Sequence, residues 1–388
     1  MALERLYLDY NATSPLSASV LNWLRSGDVL FANPSSQHSD GKAARKSVNE
    51  ARSEIFRTFH KDEKDSKLFF HSGATEAIHT FAYSFSETAR LAGKDLLICY
   101  SKVDHPAVVS LEEKFFGSHV KFLELKRDKN LHYLHQENYE ILKDKKDNNP
   151  DLIILYHHLW VHNETGQVSP LAELALFKGI PDLYLHIDAV QSPGKIPEWR
   201  ELSHGDIWTF SAHKFGALKG VGFSFFKNSL SFHPLIMGGA QQGNLRSGTE
   251  NVQGIKSIAL ALKDLTLVDV AKNSLQRKKL VSFLKEELKG IGDLIDEERM
   301  CSNTIYFYLN NLSSDIALAL FDVNGIEISA GSACSSGAAR PSAVLLQMGQ
   351  DKVSKNGLRL SMAFSIIEED LNKIQSMMKP VFNKLQNS

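Results

Sequence analysis

The sequence predicts an α/β protein with a mostly parallel central sheet flanked by helices, joined to a smaller α/β unit. Three observations carry this. Between residues 66 and 228 short apolar runs alternate with helical patterns, the mark of repeated strand–helix–strand units. A shorter α/β pattern recurs after residue 300. Polar residues capable of chemistry fall directly after several apolar runs, and ligands of parallel sheets gather at the carboxyl ends of strands.

The elements follow in order. Residues 67–71 read as a strand, and Ala77, Ile78, Phe81, Ala82 and Phe85 then recur at helical spacing. Residues 95–100, 120–125, 151–156, 183–187, 207–210 and 221–226 supply further strands. Residues 144–150 read as a solvated polar turn. Residues 252–290, rich in Leu, Lys and Ala, read as helical. In the second unit, 304–309 reads as a strand, 315–322 as a helix, and 326–329 and 357–362 as strands. Leu371, Ile374, Met377, Met378 and Val381 mark a closing helix whose methionines serve as core filler.

Bulk properties exclude several classes. The 388 residues carry 44 Lys and Arg against 45 Asp and Glu, so net charge suggests neither a nucleic-acid nor a membrane partner. No signal peptide is read at the start, and no run is long enough to span a bilayer. Cys99, Cys301 and Cys334 lie far apart, which argues against a disulfide framework or a metal site and for a reducing cytoplasm.

The most informative pair is Lys214 and Asp188. Each follows an apolar strand run. A lysine amine forms a Schiff base with an aldehyde, and an aspartate keeps a pyridine nitrogen protonated; together they suit pyridoxal phosphate. Lys219, in the glycine-rich turn nearby, is the rival lysine. Gln191 lies three residues beyond Asp188, and a turn would bring the two to one side; Asp188 also suits a helix N-cap.

Ser72-Gly-Ala-Thr-Glu76 sits between a strand and a helix start, where small residues and the helix dipole favour an anion. Thr75 adds a hydroxyl; the alternative is an ordinary cap by Ser72 or Thr75. Ser211 and His213 flank the lysine as further phosphate donors. His105 follows a strand–loop element and could stack on a ring or shuttle a proton. Alternation places Arg359 and Ser361 on one face, where a guanidinium could clamp a carboxylate or make a surface salt bridge. Cys334, among small polar residues, is expected on an exposed, mobile loop as a nucleophile. Cys99, in an apolar strand, is expected to be inert, and Cys301 has no assigned role.

Together these segments resemble the cysteine desulfurases of the fold-type I, class V aminotransferase superfamily. The matching runs include Leu8-Asp-Tyr-Asn-Ala-Thr13, Asn33-Pro-Ser-Ser36, Ser72-Gly-Ala-Thr-Glu76, Asp104-His105 and His162-Asn-Glu-Thr-Gly166. They continue through His186-Ile-Asp-Ala-Val-Gln-Ser192, Ser211-Ala-His-Lys214, Arg246-Ser-Gly-Thr-Glu-Asn251, Ser332-Ala-Cys-Ser335 and Leu358-Arg-Leu-Ser361, covering nearly the whole chain.

The resemblance implies roles. Lys214 would carry pyridoxal 5'-phosphate. Asp188 would pair with the pyridine nitrogen and Gln191 with the ring hydroxyl. His105 would stack over the ring and shuttle protons. Thr75, Ser211 and His213 would hold the phosphate, completed by Thr249 from the second subunit of a homodimer. Asn163 would touch both cofactor and substrate and, with Arg359, hold the carboxylate of L-cysteine. Cys334 would accept sulfur, releasing alanine, and pass it to an acceptor such as an iron–sulfur scaffold or a tRNA-thiolation protein. Residues 16–250 would form a large cofactor domain, and 1–15 with 251–388 a small domain carrying the cysteine loop. Selenocysteine cleavage, transamination or a non-catalytic interaction platform are the alternatives. Three runs depart from the family pattern: His162 stands where Asn is usual, Lys214-Phe-Gly-Ala-Leu-Lys-Gly220 is altered, and so is Gly238-Gly-Ala-Gln-Gln-Gly-Asn244.

Overall fold

The computed structural model describes residues 4–113, 116–331 and 341–387. Cys334 lies outside the described residues.

A short strand, β1 (Leu6–Tyr7), opens the chain. Seven strands then build one sheet: β2 (Ser66–His71), β3 (Leu96–Tyr100), β4 (Val120–Glu124), β5 (Ile153–Leu159), β6 (Leu183–Asp188), β7 (Ile207–Ser211) and β8 (Gly222–Lys227). Their spatial order is β2-β8-β7-β6-β5-β3-β4. β8 runs antiparallel to both its neighbours, and every other pairing is parallel. Every residue of β3, β5 and β7 is buried, as strands covered on both faces require.

The helix Ala74–Ala92 covers one face of this sheet, with Ala77, Ile78, Phe81 and Phe85 packed against Phe69, Ile98 and Leu155. The helix Ser39–Thr58 covers the other, setting Ala44, Val48, Ala51 and Ile55 into the core with Phe223 and Phe225.

Four expectations need correction. β5 runs to Leu159 rather than ending at residue 156, because His157 and His158 stay buried in it. His157 Nδ1 shares a proton with His186 Nδ1 at 2.9 Å, and His158 stacks on Tyr133. Most of the expected polar turn at 144–150 belongs to the helix His135–Asn148. There Lys146 is buried, with Nζ donating to Leu152 O at 2.7 Å and pairing with Asp182. The helical stretch 252–290 is two helices, Val252–Leu265 and Val270–Glu287. Asp269 restarts the second by accepting the Lys272 N–H at 2.9 Å. The strand expected at 326–329 is split between two sheets.

The second unit holds β9 (Gly292–Ile295), β10 (Thr304–Leu309), β11 (Ile326–Glu327), β12 (Ser329–Ala330) and β13 (Gly357–Ser361). β12-β13-β10-β9 form an antiparallel sheet, while β11 pairs in parallel with β1. The closing helix Glu368–Gln386 buries Leu371, Ile374, Met378 and Val381 beside Leu280, Phe307 and Leu360. Each such side chain contributes roughly 1.5–3 kcal/mol of burial.

The N-terminal segment joins the two units. Ser361 N donates to Leu8 O at 2.7 Å on the small sheet, and Ser14 N to His213 O at 2.8 Å beside the lysine. Ser17 N then donates to Gly216 O at 2.9 Å. Gly216 has φ +93°, and a Cβ there would stand 3.0 Å from Ser17 Cβ, so the close approach requires glycine.

Candidate active site

The carboxyl ends of β2, β5, β6 and β7 converge on a cavity of about 550 Å³. Its lining includes Ser72, Gly73, Ala74, Thr75, His105, Asn163, Asp188, Gln191, Ser211, His213, Lys214 and Arg359. The structure therefore brings together all the anticipated pocket residues except Thr249. Thr249 is exposed and borders a separate depression with Phe70, Gly220 and Arg246.

Asp188 ends β6 and is buried. No helix follows it; its Oδ1 accepts the Val190 N–H at 3.0 Å, a local turn that carries Gln191 to the same wall. Burial pushes its carboxyl up to about 6. A desolvated carboxylate in this state gains from a cationic partner.

Lys214 follows β7 after one short turn. Its Nζ donates to Asn11 O at 2.8 Å and to Ala12 O at 2.9 Å. Lys219 also borders the cavity but is exposed at the rim.

The anion end is built by the helix Ala74–Ala92. Gly73 is its N-cap and no side chain caps it, so neither Ser72 nor Thr75 fills that role. Its first residues, Ala74 and Thr75, line the cavity with Ser211 and His213, where a helix start favours an anion. Glu76 folds back to accept Ser72 N–H at 2.8 Å and is held by Arg246 at 2.9 Å.

His105 is an N-cap whose Nδ1 accepts the Ala107 N–H at 3.1 Å. Its proton therefore sits on Nε2. Burial, with help from Lys214, holds the imidazole down to about 4, so it is neutral at pH 7. Next to it, Asp104 forms a buried pair with Arg127 at 3.0 Å, and that guanidinium lies over the Tyr133 ring at 3.5 Å. His162, the unusual residue, ties two loops together: Nε2 donates to Val103 O at 2.9 Å while Nδ1 accepts from Glu164 N and Thr165 N. This fixes Asn163 relative to His105.

Arg359 lies in β13 and is buried rather than on the surface. Nη2 pairs with Asp9 at 2.8 Å and Nη1 donates to Asn163 O at 3.1 Å, while Nε is buried with no hydrogen-bond partner among the described residues. The altered run 238–244 also has a role. Gln242 places its amide against both Phe70 N and Phe70 O, closing part of the β2 edge. Cys99 is buried and its thiol is pushed up by desolvation, as expected of an inert residue. Cys301 is buried against Thr304 Oγ1 at 3.2 Å.

Two groups were not singled out from sequence. Asn11 accepts on its carbonyl from Lys214 and Gln191, on Oδ1 from Lys195 and Asn303, and donates through Nδ2 to Asn163 O and Thr304 Oγ1. Lys195 is buried beside it, and desolvation brings its amine down to about 7.

These residues fit pyridoxal phosphate. The buried Asp188 carboxylate answers a protonated ring nitrogen, the uncapped helix start answers a phosphate, and Lys214 supplies the amine. Among the described residues no cluster of potential metal ligands occurs.

A family model described as Aminotransferase class-V matches residues 6–374. The chain is 31% identical over 393 residues to a cysteine desulfurase IscS of Dictyoglomus turgidum, covering 99% of this chain and 96% of that protein. It is 31% identical to a putative cysteine desulfurase, IscS 1, of Bacillus subtilis, covering 99% and 100%. A solved NifS-like protein superposes with a TM-score of 0.83 at 27% identity, covering 99% of this chain and 100% of the other.

Proposed function

The chain belongs to the class-V aminotransferase family, and on that premise we propose that it is a pyridoxal-phosphate-dependent cysteine desulfurase. It converts L-cysteine to L-alanine and places the sulfur on Cys334 as a persulfide. The observation that carries this reading is the shared cavity of Lys214 and Asp188, with Arg359 on its wall. Full-length relatives named cysteine desulfurase support the choice of reaction.

The residues divide the task. Asp188 would hold the ring nitrogen protonated, and Gln191 would donate to the ring hydroxyl. Thr75, Ser211, His213 and the helix start take the phosphate. Bound there, the coenzyme withdraws electrons from the substrate's α-carbon. Arg359 and Asn163 hold the substrate carboxylate, with the guanidinium fixed by Asp9. Lys214 Nζ would serve as the base that takes the substrate's α-proton. His105, neutral with its proton on Nε2, supplies a proton on the side facing the cavity. The Cys334 thiolate would attack the substrate sulfur, so that a sulfur–sulfur bond forms as the carbon–sulfur bond breaks; the electron pair left on the β-carbon takes up a proton, and return of the α-proton gives alanine.

The working unit is a homodimer. Thr249 sits outside the Lys214 cavity of its own chain, and Thr249 of the partner subunit completes the phosphate site. Exposed apolar side chains support such an interface: Phe31 is 85% exposed and Met237 73%. No described helix is long and apolar enough to cross a membrane. The persulfide is delivered to a protein acceptor in the cytoplasm, an iron–sulfur scaffold or a tRNA-thiolation protein.

The test is production of alanine and sulfide from L-cysteine with a reductant, together with mass spectrometry for an added sulfur on Cys334. Unchanged sulfur release by Cys334→Ala would refute the reading. Turnover of selenocysteine alone would point to a lyase instead.

A further inference from the structure

Lys195 lies in the turn after β6 and is 1% exposed. Its Nζ donates to Asn11 Oδ1 at 2.9 Å and to Gln191 Oε1. Both acceptors are neutral amides. Among the described residues no carboxylate lies within ion-pair distance; the charged or titratable groups acting on it are Cys301, Lys214 and Arg359, and the Phe364 ring stands 5.9 Å away. Burying an amine without an anion is costly, so stability alone does not account for it.

What the amine does is fix orientation. A protonated lysine can only donate, whereas an amide has an acceptor at one end and two donors at the other. With Oε1 facing Lys195, Gln191 must turn its Nε2 away. One Nε2 hydrogen goes to Asn11 O at 3.0 Å. The second remains for the cavity that Gln191 lines. If the amide were reversed, its oxygen would face the cavity and its N–H groups would confront the lysine's own donors. Asn11 is oriented in the same way: Oδ1 is held by Lys195 and Nδ2 by Thr304 Oγ1 at 2.8 Å.

We infer that Lys195 is a positioning residue that keeps Gln191 turned with its N–H groups toward the coenzyme's ring hydroxyl. The inference rests on the reading of the cavity as a pyridoxal phosphate site. A donor on the ring oxygen favours its anionic form, and so lowers the pKa at which the Lys214–coenzyme linkage loses its proton.

The experiment is a pH titration of the visible absorption of the loaded protein without substrate. A wild-type band that is lost in Lys214→Ala establishes the underlying reading independently; its absence would refute that reading rather than this one. Lys195→Met should raise the apparent pKa of the band by about half a unit or more, roughly threefold in the equilibrium. Lys195→Gln retains a donor and should titrate nearer to wild type. In a Gln191→Leu background, Lys195→Met should add no further shift. An unchanged titration in folded, loaded Lys195→Met overturns the inference. So does an equal shift in Lys195→Gln, or a full shift in the Gln191→Leu background, since either assigns the effect to charge alone. Should Lys195→Met not fold, Gln191→Leu decides, because its titration must itself move upward.

Discussion

Lys214 and Asn11 stand 203 positions apart, and Nζ of the lysine donates to the asparagine's backbone carbonyl at 2.8 Å. The lysine amine is thus held by a segment from near the start of the chain. The carbonyls of Asn11 and Ala12 fix its position before any aldehyde arrives, at no cost in side-chain chemistry.

On the proposed reading, removing that amine removes both the coenzyme's anchor and the base. Lys214→Ala should lose the visible absorption of the loaded protein and lower alanine formation by about 10²–10⁴-fold or more. Absorption and amino-acid analysis on the same sample check both outcomes. Retention of wild-type turnover would place the base elsewhere.

Asp188 sets function against stability. Its folded pKa, about 6, lies above the ordinary aspartate value of 3.8. Between these values the folded state binds more protons than the unfolded one, so this residue's effect is destabilising once pH rises through the window. Asp188→Asn should therefore stabilise the coenzyme-free protein at pH 7, by on the order of 1–3 kcal/mol. The same variant should lower cysteine turnover by about 10²-fold or more, because a neutral amide does not hold the ring proton. Denaturant melts and alanine assays should move in opposite directions; a destabilised apo variant would contradict the account.

Several histidines are buried uncharged. Desolvation holds His71 down to about 4 and His157 to about 3, against an ordinary 6.5. Between pH 6.5 and these values the unfolded chain binds more protons, so stability falls as pH falls through that window. Each such residue contributes a slope of about 1.4 kcal/mol per pH unit. His157→Phe should flatten the acid limb of a stability–pH profile measured by urea unfolding. An acid limb as steep as wild type would show that His157 does not titrate on unfolding.

The Asp104–Arg127 pair is buried, and Asp104 directly precedes His105 in the chain. Arg127→Met leaves the carboxylate buried without its cation and should cost about 3–5 kcal/mol, read from the urea midpoint. Adding Asp104→Leu should recover much of that loss. A double variant as unstable as the single would mean that packing on Tyr133, not charge, is what Arg127 provides.

Legibility in the sequence followed chemistry and periodicity. Apolar runs such as those of β3 and β10 announce themselves, and Asp188, Ser211 and Lys214 stand out because they follow such runs. The helix Ser39–Thr58 did not, since its buried stripe is a narrow line of Ala44, Val48, Ala51 and Ile55 among charges. β5 was shortened because His157 and His158 read as polar ends, whereas ring stacking and paired imidazoles make them core residues. Lys195 follows Pro193 and Gly194 and so reads as a solvated turn lysine. Only the fold shows that the turn is directed inward. Asn11 has no periodic neighbour to announce it, and its importance comes from contacts with segments up to 350 residues away.

The N-terminal strap is fastened at both ends. Asn11 N is tied to Ser361 Oγ at 3.0 Å on the small sheet, while its carbonyl, one residue unit along, is tied to the lysine on the large one. A tilt between the two units cannot leave both bonds intact. The Lys214 amine therefore acts as a strain gauge for the junction, and whatever rocks the small sheet alters the acceptors around that amine without touching it.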